Sequence, residues 1–402
     1  MNKESLLSYK SLLFLIGIVF VAFNLRSSIT AIGPLIGDIR TDTNLTNSWI
    51  GLLTTLPLLA FGLFSTITPR IGRKWGNETT VFIALIILTI GILFRSTGFV
   101  YALFLGTALL GLGIAICNVL IPGIVKDKFP ERMGLMTGIY TTSMSTMAAL
   151  ASGVSIPLAK GANLGWERSL LIWAILASLA VLAWLPQLRN QKKTGSFPTY
   201  KRNSIWSSTV AWQVTLFMGL QSCAFYCIIA WMPEILVSRG VDLPTAGWLL
   251  TLTQIAGLPA TLFIPILAGR LSNQRSIAIA ISLFYLTGFL GIYIGGSLGL
   301  ITICMIFLGV AQGAGISLSL SLFGLRTQNG HDASNLSGMA QSAGYLLAAT
   351  GPLIIGLFFD LFQSWSPAFL IFIGLSIALG VFGFYAGRDQ YVLHVEPDKL
   401  RA

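Results

Sequence analysis

The chain is 402 residues long, 54% hydrophobic and only 10% charged, with a formal net charge of +11. Soluble domains carry roughly a quarter of their residues as Asp, Glu, Lys and Arg, so a water-soluble globular fold is excluded and an all-α integral membrane protein is indicated. The positive charges fall between apolar runs, which excludes nucleic acid as the reason for them.

Twelve segments meet the requirement of about 20 apolar residues for a membrane-crossing helix. They are 12–37, 48–69, 79–97, 99–125, 133–158, 166–187, 208–236, 244–269, 276–295, 297–325, 333–359 and 365–387. The polar stretch RNQKKTGSFPTYKRNS, residues 189–204, leaves six on either side. The expected organisation is a six-helix bundle over 1–188, a cytoplasmic linker over 189–207, and a second six-helix bundle with a short cytoplasmic tail over 208–402.

The first span contains VAFNLRSSITAIGPL, with Arg26 near its middle. A permanent charge at that depth costs about 2.5–3.5 kcal/mol on insertion scales. None of the 14 acidic residues falls clearly within a span. Arg26 therefore reads as the one charge deep in the membrane, facing a watery cavity where a bound anion serves as its counter-ion. The competing reading is a guanidinium held by helix-end carbonyls. Helical spacing places Phe23, Ile29 and Thr30 beside Arg26 and turns Asn24 about 200° away, where it suits a hydrogen bond to a neighbouring helix as well as a contact to the substrate.

The second span ends in the basic turn PRIGRK, residues 69–74. Span four carries GLGIAICN with Asn118, and span five the run Tyr140, Thr141, Thr142, Ser143. Gln221 and Tyr226 lie in span seven, Gln254 in span eight and Gln312 in span ten. In span eleven, Gln341 and Tyr345 are four apart and share a face. Each of these side chains suits an interhelix hydrogen bond as well as a ligand contact; together they suit a compact polar solute. The glycine pairs in GLGIA and AQGAG lie mid-span and read as close helix packing, not as a phosphate loop.

With the N-terminus inside, 19 of the 25 Lys and Arg fall on the inner side and 5 on the outer, with Arg26 left over. The positive-inside rule then places both termini in the cytoplasm. The second and eighth spans echo each other, as do the Gly-rich fourth and tenth, at a spacing of about 200 residues. Such repeats favour a carrier, expected in a bacterial cytoplasmic membrane as a monomer whose partners are lipid and a small solute. Cys117, Cys223, Cys227 and Cys304 sit in apolar runs without metal spacing. No cofactor or metal is expected, nor any enzymatic activity, since no nucleophile–base set is present.

This arrangement resembles the major facilitator superfamily. PRIGRK keeps the basic–x–Gly–basic–basic core of its signature between helices two and three in Arg70, Gly72, Arg73 and Lys74. Pro69 stands where the signature has an acidic residue, which puts the superfamily's inner-face salt-bridge latch in question. Four stretches are similar to its cyanate permease and 2-nitroimidazole transporter family: FNLRSSITAIGPL, GLMTGIYTTSMS, MGLQSCAFYCIIAWMPEIL and SGMAQSAGYLLAATGPLIIGLFFD. Ser27 and Ser28 follow Arg26 where members often carry Pro-Ala. The resemblance implies a 12-helix fold of two pseudo-symmetric bundles, alternating access, a cytoplasmic gating role for the signature, and a substrate such as cyanate, a nitrate-like anion or a nitro compound. Related nitrate carriers use two cavity arginines, one per half, whereas the seventh span here has none. A single charge suits a monovalent anion or polar neutral group. The alternative function is efflux of hydrophobic drug-like compounds.

Overall fold

The computed structural model describes residues 9–45, 47–190 and 205–393; most of the expected linker and both chain ends, with His394, lie outside these. Twelve spanning elements form the body. The first six are α1 (Tyr9–Thr30), α2 (Asn47–Phe64), α3 (Asn77–Arg95), α4 (Val100–Lys128), α5 (Met133–Ile156) and α6 (Gly165–Leu171 resuming as Trp173–Trp184). The others are α7 (Thr209–Ser238), α8 (Leu243–Arg270), α9 (Arg275–Ile294), α10 (Leu298–Leu325), α11 (Gly330–Phe362) and α12 (Ser366–Ala386). Among the described residues there is no strand.

Among the described residues, ten of the twelve are long and apolar enough to cross a membrane outright. Of the other two, α2 is an apolar helix of 18 residues without a charge, and the hydroxyl-rich run TTSMST in α5 lowers its hydropathy. The first span differs from its expected extent. Its helix ends at Thr30, a tight turn follows over Gly33–Leu35, and a short helix continues over Ile36–Thr43. Pro34 in that turn lacks the N–H a continuous helix requires.

The pairings repeat with an offset of six. Helices α1·α5, α1·α6, α2·α4, α3·α4 and α3·α6 pack together, and so do α7·α11, α7·α12, α8·α10, α9·α10 and α9·α12. Contacts between the two sets follow the same symmetry: α2·α11 mirrors α5·α8, and α4·α11 mirrors α5·α10. Glycines set the closest approaches, as the mid-span pattern predicts. A Cβ at Gly309 or Gly313 of α10 would strike the carbonyls of Thr253 and Gly257 on α8, so only a bare backbone allows α8 and α10 to meet there.

The ends of the body differ in charge. One end, called here the basic end, carries Arg70, Arg73, Lys74, Lys126, Lys128, Arg132, Arg270, Arg275, Arg326 and Arg388; the opposite end carries Arg40, Lys160, Arg168 and Arg239. Two arginines depart from a surface role. Arg326 is buried and donates to the carbonyls of Ala386 and Gly387 at the end of α12. Arg95, at the outer end of the third span, is only 1% exposed and donates from Nη1 to the Ser28 carbonyl at 2.5 Å. The last carbonyls of a helix lack intrahelical partners, and a guanidinium supplies donors and a favourable charge there. Beside Arg26, Arg95 and Arg326 are therefore also drawn in among the helices, each at a helix end.

Candidate functional site

Arg26 lies one turn before the end of α1, on a face with Phe23, Ile29 and Thr30 that is only partly buried, whereas Asn24, Ser27 and Ser28 are fully buried. Its guanidinium carbon stands over the Phe225 ring of α7, 4.9 Å from the centroid. The Tyr345 hydroxyl of α11 faces it, and Tyr140 of α5 and Tyr226 of α7 lie within its electrostatic reach. The Tyr345 ring packs against Phe61 of α2, centroids 5.0 Å apart. Among the described residues, no carboxylate pairs with Arg26. One guanidinium is therefore held among aromatic rings drawn from both sets of helices.

Asn24 points away as expected. Its amide donates to Phe20 O at 2.8 Å and to Leu176 O of α6 at 3.3 Å, leaving its own oxygen without a partner. It does not share the Arg26 face. Thr30 does, yet its hydroxyl is committed to helix carbonyls, including Ala148 O of α5 at 3.0 Å. Phe23 packs edge-on against Phe20. Tyr140 is 1% exposed and its hydroxyl has no partner.

The glutamines separate. Gln341 donates from its amide nitrogen to the Asn118 backbone carbonyl at 2.9 Å and to Ser337 Oγ at 2.8 Å, joining α11 to α4, while its own side-chain oxygen has no hydrogen-bond partner. Gln221 donates to Ser222 Oγ and packs against Gly315 of α10. Gln312 is 5% exposed with neither amide atom bonded. Gln254 is half-buried. Phe225 escaped the sequence reading because a phenylalanine in an apolar helix carries no polar signal; its place in MGLQSCAFYC beside Tyr226 was the available clue.

Hydrogen bonds that cross between the sets cluster from the basic end to mid-depth. Thr141 donates to Thr261 O at 2.8 Å, the Thr142 and Thr261 hydroxyls meet at 2.9 Å, and Ser342 donates to Gly62 O. The sets also close tightly where a Cβ on Gly134 of α5 would strike Pro265 O of α8.

The sequence model of the Major Facilitator Superfamily matches residues 15–349 and 214–401. The chain belongs to the major facilitator superfamily. It is 40% identical to the 2-nitroimidazole transporter of Escherichia coli K12 over 98% of this chain and all of that one. An uncharacterized transporter of Bacillus subtilis 168, YycB, is 50% identical over 96% of both. The cyanate transport protein CynX of Escherichia coli K12 is 25% identical over 90% of this chain and 95% of that one. Among solved structures, the proton:xylose symporter XylE superposes with a TM-score of 0.78 at 13% identity, covering 96% of this chain and 98% of that one. FucP in the outward conformation superposes with a TM-score of 0.73 at 16% identity, covering 94% and 98%.

This superfamily member is a multi-pass membrane transporter of small solutes, not an enzyme. Its signature turn forms a short helix, Thr68–Trp75, between α2 and α3. Gly72 is buried there and packs against Asn77 and Leu120, while Arg70, Arg73 and Lys74 are exposed. A cleft beside it is lined by Arg73, Asp127, Asn329, His331 and Ser334. The acidic contact to the second half comes from α4, where Asp127 accepts a 2.7 Å hydrogen bond from the Gly330 N–H.

Proposed function

We propose that this transporter moves a small monovalent anion, or a small nitro- or cyanate-like polar solute, by alternating access across a bacterial cytoplasmic membrane, with Arg26 as the substrate's counter-ion. The observation that carries this reading is the Arg26 guanidinium, held between the two sets of helices with aromatic neighbours and no carboxylate among the described residues. Such a group has in-plane N–H donors for a nitro, carboxylate or cyanate head group. A lone positive charge balances one negative charge and leaves a dianion uncompensated. The names of the relatives, a 2-nitroimidazole transporter and a cyanate transport protein, point the same way.

The basic end is taken as cytoplasmic, with both chain termini there. The crossing hydrogen bonds then close the inner side beneath Arg26, which is an outward-facing arrangement. Residues 1–188 and 208–402 are read as the two bundles that rock, joined by a linker over 189–207, and Arg70, Gly72, Arg73 and Lys74 as part of the inner gate. The carrier is read as a monomer.

Uptake of labelled 2-nitroimidazole, cyanate and nitrate into proteoliposomes tests this. Transport of at least one probe is expected from the wild type and is lost in Arg26→Ala; undiminished transport by that variant would sink the assignment. Efflux of hydrophobic drug-like compounds is the second reading, drawn from the aromatic walls around Arg26. Drug resistance on overexpression that survives Arg26→Ala favours it.

A further inference from the structure

Phe225 of α7 touches the charge of α1 from the other half of the carrier. The described acidic side chains sit toward helix ends or in connections: Glu78, Asp127, Glu131, Asp332 and Asp389 toward the basic end, Asp38, Asp42, Glu167, Glu234 and Asp242 toward the opposite one. When an anion leaves Arg26, no carboxylate among the described residues takes its place. What remains against the guanidinium is the Tyr345 hydroxyl and the Phe225 ring, and the quadrupole of the ring attracts a cation more strongly as water is excluded.

We propose that Phe225 is a positioning residue that holds the Arg26 charge in the empty carrier, and so permits the empty carrier to change the side it exposes. This rests on the reading of Arg26 as the substrate's counter-ion and on alternating access. A loaded site closes around a compensated charge. An empty site closes around a guanidinium with no anion to balance it, which is costly unless neighbouring groups hold the charge. Because the contact joins α1 to α7, closure of the two halves desolvates the pair and strengthens it. Net transport requires the return of the empty carrier, whereas exchange returns it loaded. Net transport therefore depends on Phe225 far more than exchange does.

The test compares wild type, Phe225→Leu and Phe225→Trp in proteoliposomes with labelled 2-nitroimidazole. Uptake is measured into probe-free vesicles and into vesicles preloaded with unlabelled 2-nitroimidazole. Wild type and Phe225→Trp, which keep a π face, are expected to show both activities. Phe225→Leu keeps apolar bulk without the π face; it is expected to lose net uptake about tenfold, equivalent to about 1.4 kcal/mol, while exchange stays within about threefold. Equal loss of both activities, or loss of neither, overturns the proposal. A thermal-shift assay with 2-nitroimidazole separates the two levels of inference. Stabilisation of wild type and Phe225→Leu but not Arg26→Ala supports the site, whereas no stabilisation of wild type, or full stabilisation of Arg26→Ala, overturns the site reading and this proposal with it.

Discussion

The Asp127 carboxylate at the end of α4 accepts a hydrogen bond from the Gly330 backbone N–H at the start of α11, 2.7 Å away. It joins the first set of helices to the second at the basic end. A helix N-terminus presents unpaired N–H groups and a positive dipole end, so a carboxylate there is favourable. A Cβ at position 330 would overlap the Asp127 carboxyl group, which explains why the junction uses glycine. The acidic contact missing from the turn at Pro69 is thus supplied from α4.

Asp127→Ala removes a charged hydrogen bond of about 1–2 kcal/mol, a shift of about 5- to 30-fold toward a separated basic end. Maleimide labelling of a Ser334→Cys reporter in the adjacent cleft is expected to quicken by that factor. An unchanged labelling rate means that Asp127 does not hold the junction. The native cysteines are buried and contribute little background.

Gly134 should behave as a second determinant of the same closure. Leucine there cannot coexist with Pro265 O of α8 at the present separation. Overpacking typically costs about 1–3 kcal/mol, so Gly134→Leu is expected to hold the basic end apart and block transport while the protein still folds. Spin-label distances between α5 and α8 should lengthen; distances that match the wild type would refute it.

The two arginines beside α1 predict opposite phenotypes. Arg95→Ala leaves the buried Ser28 carbonyl unpaired, at a cost of about 1–3 kcal/mol. It is expected to lower the melting temperature of the detergent-solubilised protein. Arg26→Ala removes a charge that has no carboxylate partner among the described residues and is expected to leave the empty carrier at least as stable. Thermal melts of the two variants without ligand check this directly, and a destabilised Arg26→Ala would contradict it.

Arg26→Lys keeps the charge and loses the planar fork of donors. If the head group is bound through two parallel N–H contacts, affinity for 2-nitroimidazole should fall about tenfold or more, near 1.4 kcal/mol. Titration by intrinsic fluorescence or calorimetry measures it, and equal affinity would rule out bidentate binding.

Much of this was legible along the chain. Hydropathy marked the twelve spans, and the periodicity of α1 correctly turned Asn24 away from Arg26. Helix rotation is a local property, so one-dimensional spacing captures it. The glycines of AQGAG were also read correctly as packing. Interhelix partnership was less accessible. Gln341 and Tyr345 share a face of α11, yet one bonds to Asn118 O and the other faces Arg26. Their helix passes two different neighbours within one turn, which spacing does not reveal.

By itself the sequence determined an all-helical membrane body, the asymmetry of its basic charge and its membership of the superfamily, because apolar length, charge distribution and motif are written residue by residue. Only the tertiary structure decided which arginine caps a helix and which one faces the space between the halves. Arg95 is 67 positions from the carbonyl it satisfies, and Phe225 reaches Arg26 from the other half of the chain. Whether a buried charge is compensated by a backbone carbonyl or by an aromatic ring depends on which helices meet around it, and that is fixed by packing between distant segments.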